Sequence, residues 1–240
     1  TSLRRLRELA PSTLRHRTRS KALFPFHRWD YEFARHGAFV AAAEEGDVRP
    51  LVSIITRTYR GRATYLRQAI LSVLQQTYPH IEHVIVEDGG DTLRGLVEDL
   101  GGKLGANINY LASGKVGRSV TGNAGLAAAK GEFVLFLDDD DLLFADHVEL
   151  LVQAMRDNPG VMAAYSLAWE VPTDASRIAE GAYTERAPIL HKSMLQPFDR
   201  EVLRERNYIP IQSILFRREL YLQRGGFEED LEALEDWNLW

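Results

Sequence analysis

Four consecutive aspartates, residues 138–141, follow directly on the apolar run EFVLFL at residues 132–137. Adjacent carboxylates repel one another, and aspartate is a poor residue in strands and helix interiors. A divalent cation such as Mg2+ or Mn2+ would neutralise them through hard oxygen ligands. Held by only one or two carboxylates, it keeps open positions for the oxygens of a diphosphate. The other reading is an acidic N-cap for the helix expected to begin near residue 145, which would account for one aspartate of the four. The 240-residue chain has no cysteine, which excludes thiolate metal sites and a disulfide framework, so any metal chemistry must use oxygen or imidazole.

The elements that would carry these carboxylates alternate in type. Apolar, β-branched runs at 51–56, 81–86, 108–111 and 132–137 predict strands. Between them, residues 65–75, 92–100 (closed by Gly101-Gly102) and 119–130 (stopped by Gly131) predict helices, and 145–158 predicts a fourth. Strands that are apolar on both faces and alternate with helices imply an α/β fold: a Rossmann-like, mainly parallel sheet flanked by helices. Ligands in such sheets bind beyond the carboxyl ends of the strands. The loops at 56–59, 87–91 and 138–141 should therefore share one crevice. Past residue 158 the order is less regular, with strand-like stretches at 161–165 and 209–216, and a mixed C-terminal part is expected.

The net charge of −5 is unevenly spread, because residues 1–30 hold eight Lys or Arg against Glu8 and Asp30. Leu3, Leu6 and Leu9 recur there at helical spacing, so this stretch reads either as a basic amphipathic helix on an anionic membrane surface or as a linker or helix packed on the main domain. No apolar run is long enough to span a bilayer. The expectation is a cytoplasmic protein, with peripheral contact at the inner membrane face through the basic N-terminus as the membrane reading. Residues 1–48 are expected to be an extension or linker and 49–240 the main domain. The missing initiator Met reads as a processed or excised fragment.

The motifs together resemble those of family 2 glycosyltransferases of the GT-A fold. PLVSIITRTYRGR stands at the first strand, VIVEDGGD at the second, FVLFLDDDD at the fourth and LEDWNLW at the end, in the family's order over about residues 49–240. The resemblance implies a nucleotide-binding half at about 49–141 and an acceptor half at about 142–240, cut short because only four residues follow Asp236. It implies an inverting transfer from a UDP- or dTDP-sugar donor to a hydroxyl of a glycan or lipid-linked acceptor, assisted by Mn2+ or Mg2+, in surface polysaccharide synthesis, with no nucleic acid partner.

By the same resemblance, Asp88 accepts the imide N–H of the pyrimidine, and Thr56, Thr58 and Tyr59 border the base, Tyr59 packing on the ring. Asp140 ligates the metal, while Asp138 or Asp139 sits at the ribose; both alignments stand. Arg118 and Asn123 match the region beside the nucleoside, and Asp236 matches the base that deprotonates the acceptor hydroxyl. A plain polar turn, a surface Arg with an Asn near a helix start, and a helix-opening acid are the structural readings of these same residues. Residues 166–207 are expected to form the acceptor side, with Trp169, Tyr183, His191 and Lys192 as its candidate aromatic and polar residues and a plain surface histidine as the other reading of His191. A nucleotidyltransferase would need a Gly-rich triphosphate loop after the first strand, where only Gly61 is found. A catalytically silent sugar-nucleotide- or glycan-binding module is the remaining alternative.

Overall fold

The computed structural model describes residues 49–231 and 234–239; the basic N-terminal stretch lies outside them. In chain order its main elements are β1 (Val52–Tyr59), α1 (Ala63–Leu74), β2 (Ile81–Asp88), α2 (Arg94–Leu104), β3 (Ile108–Ser113), α3 (Arg118–Ala128), β4 (Phe133–Phe136) and α4 (His147–Asp157). The second half adds β5 (Ala163–Tyr165), β6 (Thr173–Asp174), β7 (Thr184–Glu185), α5 (Arg200–Glu205), β8 (Ile214–Arg217), α6 (Arg218–Arg224) and α7 (Glu235–Leu239).

Six strands form one sheet in the order β3-β2-β1-β4-β8-β5. The first four are parallel, as their apolar faces and helical crossovers require. β8 runs antiparallel to β4, pairing Leu215 with Leu135, and β5 runs antiparallel to β8. Chain order reverses about β1: α1 and β2 lead to one side, β4 lies on the other, and the crevice falls at the carboxyl ends of these strands. β6 and β7 make a separate two-stranded ribbon, and Glu170 pairs with Ile189 beside it.

Alternation along β1 sends Ile54 towards α1 and α4, and Ile55 towards α3. Both are fully buried, as are Leu135 and Phe136 on β4. Such burial contributes roughly 1.5–3 kcal/mol per side chain and holds the sheet between two helical layers. The same alternation continues into the polar end of β1, so Thr56 and Thr58 face one layer and Arg57 the other.

The ends of β1, β2 and α2 differ from the sequence expectation. β1 and β2 run on to Tyr59 and Asp88, because parallel pairing continues to the register Tyr59 with Asp88. Residues 57–59 and 87–88 therefore sit on strands instead of loops. α2 passes through Gly101-Gly102 and ends at Gly105, whose φ of 64° closes it in the left-handed conformation.

Candidate active site at the carboxyl edge of the sheet

Leu137 N–H donates to Ile55 O, so the chain leaves β4 alongside β1, and the aspartate run emerges next to Arg57 and Thr58. Arg57 grips Asp138 with two nitrogens, Nε and Nη2 lying 3.0 and 2.8 Å from Oδ1, and Nη2 lies 3.0 Å from Oδ2. From the opposite face of β1, Thr58 donates to Asp139 Oδ2 at 2.6 Å. Arg62, in the turn after β1, reaches Asp139 Oδ1 and Asp140 Oδ2, each at 2.6 Å. Three of the four aspartates are thus met by residues within six positions of one another.

The neutralisation is incomplete. Burial raises the Asp139 carboxyl above its ordinary value despite the donors from Arg62 and Thr58. Asp141 is pushed up to about 7, by burial first and then by Asp138, Asp140 and Asp139. The run does not cap α4, whose N-cap position is taken by Asp146.

The carboxylate of Asp88, at the end of β2, accepts Lys115 Nζ at 2.5 Å, Val116 N at 2.7 Å and Gly117 N at 3.4 Å. Burial opposes its charge, but these donors outweigh burial and hold it below the usual carboxylate range. Gly117 has a φ of 90°, which lets the chain aim two successive N–H groups at Asp88 before entering α3. Glu87 faces away from this centre. It accepts from Thr92 N and Leu93 N at 3.0 and 2.8 Å, holding the start of α2, and from the Tyr110 hydroxyl. Tyr59 is half exposed, with the Arg62 guanidinium 5.4 Å and Lys115 Nζ 5.6 Å from its ring centroid.

The C-terminal acids approach from the other side. Glu235 in the first turn of α7 is 1% exposed, and its Oε1 accepts Arg57 Nη1 at 2.9 Å and pairs with Arg118 Nε at 2.7 Å. Its neighbour Asp236 accepts from Asn207 Nδ2 at 2.9 Å. Asp139, Asp140 and Asp141 also line a cavity of about 520 Å3 that residues 166–171, Trp169 among them, and Tyr183 line as well. Asp236 is not part of that lining; it follows Glu235 in the chain and is held by Asn207.

Of the residues expected at the site, Tyr59, Asp88, Arg118 and the aspartate run gather around the crevice, with Thr58 beneath them as a support. Thr56 does not reach it: the side chain is fully buried and its hydroxyl lies 2.8 Å from His83 Nε2. The Asn123 amide is engaged on both ends by the backbone of Phe227, Oδ1 accepting Phe227 N at 2.8 Å and Nδ2 donating to Phe227 O at 2.9 Å. It therefore anchors the turn that follows Gly225-Gly226 to α3. His191 is a surface residue paired with Glu170 at 2.7 Å. Sequence reasoning gave no role to Arg62 or Lys115, and it placed Arg57, Asp141 and Glu235 only as members of the loop after β1, the aspartate run and the Glu-Asp pair, without the contacts they make. The only signal available was an excess of arginine in RTYRGR beside an acidic site.

Among the described residues no three His, Asp or Glu side chains converge as a closed metal cage. The donor set still suits a hard cation that takes most of its ligands from elsewhere. Asp140 is about half exposed on the crevice, and the unrelieved repulsion at Asp141 is what a cation would reduce.

The profile of glycosyl transferase family 2 matches residues 53–205, and the chain belongs to that family. An uncharacterized glycosyltransferase of Rickettsia felis is 32% identical over 197 residues, covering 80% of this chain and 31% of the relative. One of Rickettsia typhi is 30% identical over 203 residues, covering 80% and 58%. The putative teichuronic acid biosynthesis glycosyltransferase TuaG of Bacillus subtilis is 36% identical over 112 residues, covering 45% and 43%. The chain thus spans about a third and about three fifths of these two Rickettsia relatives.

Among solved structures, S. aureus TarS 1-349 in complex with UDP-GlcNAc superposes with a TM-score of 0.57 at 22% identity, over 79% of this chain and 52% of TarS. The mannosyltransferase PcManGT of Pyrobaculum calidifontis, in complex with GDP-Man and Mn2+, gives 0.56 at 21% identity over 80% and 51%. The fold is that of GT-A glycosyltransferases. No helix among the described residues is long and apolar enough to cross a membrane.

Proposed function

We propose that this chain transfers a sugar from a UDP- or dTDP-type nucleotide donor to a hydroxyl of a glycan or lipid-linked acceptor, with inversion at the anomeric carbon, in surface polysaccharide synthesis. The observation that carries the reading is the joining of the aspartate run to the Glu235-Asp236 turn through Arg57. It ties a donor-side acidic centre to Glu235, the residue next to the candidate base.

In this reading Asp88 accepts the N–H of the base once the exposed Lys115 side chain releases one of its oxygens, and Tyr59 packs on the ring. Asp138 and Asp139, fixed by Arg57 and by Thr58 with Arg62, form a rigid rim for the ribose and the diphosphate. Asp140, with Asp141 beside it, would hold a Mn2+ or Mg2+ ion, which when bound stabilises negative charge on the diphosphate. Asn207 orients the Asp236 carboxylate, which takes the proton from the acceptor hydroxyl as its oxygen bonds to the anomeric carbon. The bond from that carbon to the diphosphate oxygen breaks with its electron pair on the departing nucleoside diphosphate.

The experiment is calorimetric and kinetic. Asp140→Ala should remove the Mn2+-dependent part of UDP binding, whereas Asp236→Asn should bind donor normally and lose transfer by about 100-fold or more. Normal turnover by Asp236→Asn would rule out the base assignment. Metal-dependent donor binding without any turnover of the wild-type chain would leave a sugar-nucleotide-binding module.

A further inference from the structure

Arg57 is 7% exposed and lies against a pair of aromatic rings, its guanidinium carbon 5.7 Å from the Phe136 centroid and 5.5 Å from that of Phe227. Phe136 and Phe227 pack edge to face, with centroids 5.1 Å apart. The space exists because residue 122 is glycine: a Cβ there would lie 2.6 Å from Phe227 Cε2 and 3.6 Å from Arg57 Cδ. Burial opposes the guanidinium charge, and Asp138 and Glu235 offset it. All three guanidinium nitrogens are committed, Nε and Nη2 to Asp138 and Nη1 to Glu235.

Glu235 is harder to explain as a residue selected for stability. It is 1% exposed, both its recorded partners share Oε1, and Oε2 is buried with no partner among the described residues. An unmet carboxylate oxygen in a buried place disfavours folding, and replacing buried ion pairs by apolar groups is often neutral or stabilising. Leu234, directly before it, has a φ of 59°, an unfavourable conformation for a residue with a branched side chain. Both features sit at the start of the helix that carries Asp236.

We propose that Arg57 and Glu235 form a strut whose task is to fix the position of Asp236 relative to the aspartate run. Through it the end of β4 and the first turn of α7, which are distant in sequence, share one rigid guanidinium. The two are positioning residues: neither gives or takes a proton in the reaction. The proposal rests on the reading of Asp236 as the base, and misplacing a reacting group by about 1 Å can cost on the order of 100-fold in rate.

Steady-state transfer by the full chain, with donor and acceptor varied separately, tests the strut. Glu235→Ala should lose roughly 30- to 100-fold in kcat with the donor KM within about three-fold of wild type. Glu235→Gln, which keeps an acceptor oxygen for Arg57, should recover most of that loss. If Glu235 works through Asp236, the double variant Glu235→Ala/Asp236→Asn should be no slower than Asp236→Asn alone. Should Glu235→Ala give no folded protein by circular dichroism, Glu235→Asp carries the same test, since its charge stands one methylene short of the two guanidinium groups. Unchanged kcat, additive losses in the double variant, or an effect confined to donor KM would each overturn the strut while leaving the base assignment intact. Full activity of Asp236→Asn would instead bring down the reading beneath it.

Discussion

Arg62 and Thr58 meet Asp139, Arg62 also meets Asp140, and Arg57 meets Asp138, so the repulsion inside the run is unevenly relieved. Asp141 carries the remainder, its carboxyl pushed up by burial and by the three acids before it. Such unrelieved charge is a common cost of a binding site, and removing it tends to stabilise the unliganded fold. Asp141→Asn should therefore raise Tm in EDTA by about 2–4 °C, corresponding to roughly 1 kcal/mol in a chain of this size, and should shrink the further rise produced by Mn2+ with UDP. A fall in Tm in EDTA would contradict the picture of a strained run. At this scale the sequence was informative about the acids and silent about their partners. Four aspartates in a row are visible in one dimension, whereas Arg57 and Glu235 meet across 178 positions.

The central strand β1 supports both the core and the site. Its Thr56 hydroxyl is bonded to His83 on β2, and burial pushes the His83 imidazole down to about 3 from 6.5. The native state therefore refuses a proton that the unfolded chain accepts between those values. Stability contributed by neutral His83 is complete above about pH 6.5 and is lost as pH falls below it. Between pH 6.5 and 5.5 the loss is about 1 kcal/mol for one such histidine. His147, pushed down to about 4 by burial, adds to the same trend. Urea unfolding at these two pH values should show a drop smaller by that amount in His83→Gln; an identical drop in both proteins would show that His83 is not buried as a neutral ring. The tight entry to β4 gives a second prediction. A Cβ at Gly131 would lie 2.6 Å from Ser53 N and 2.7 Å from Leu51 O, backbone atoms beside β1 that cannot turn aside. Gly131→Ala should cost about 1–3 kcal/mol, read as a lower urea midpoint with unchanged slope. Periodicity located these elements well, because apolar alternation is local. The run of β1 and β2 to Tyr59 and Asp88 was missed because Arg57, Glu87 and Asp88 break the apolar pattern, and cross-strand pairing extends the ladder regardless.

For the whole molecule, the aspartate run serves two regions. It ends the parallel half of the sheet, and Asp139 to Asp141 line the cavity that residues 166–171 and Tyr183 also line. Under the proposed function Trp169 belongs to the acceptor side, so Trp169→Ala should raise the acceptor KM by roughly ten-fold, the weight of about 1.4 kcal/mol, while UDP affinity measured by calorimetry stays the same. A change in UDP affinity alone would move Trp169 to the donor side. Saturating donor should also protect the fold as a unit, adding about 2.7 kcal/mol at 100 times its dissociation constant. The sequence by itself determined the α/β architecture, the family and the positions of the acidic motifs, because strand periodicity and short motifs are written in neighbouring residues. Only the tertiary structure decided which partners those acids take. Strand alternation turned Thr56 inward to His83 and Arg57 towards Asp138, and chain return brought Glu235 and Arg118 to the same centre. Those contacts depend on register and on long-range packing, and no local pattern records either.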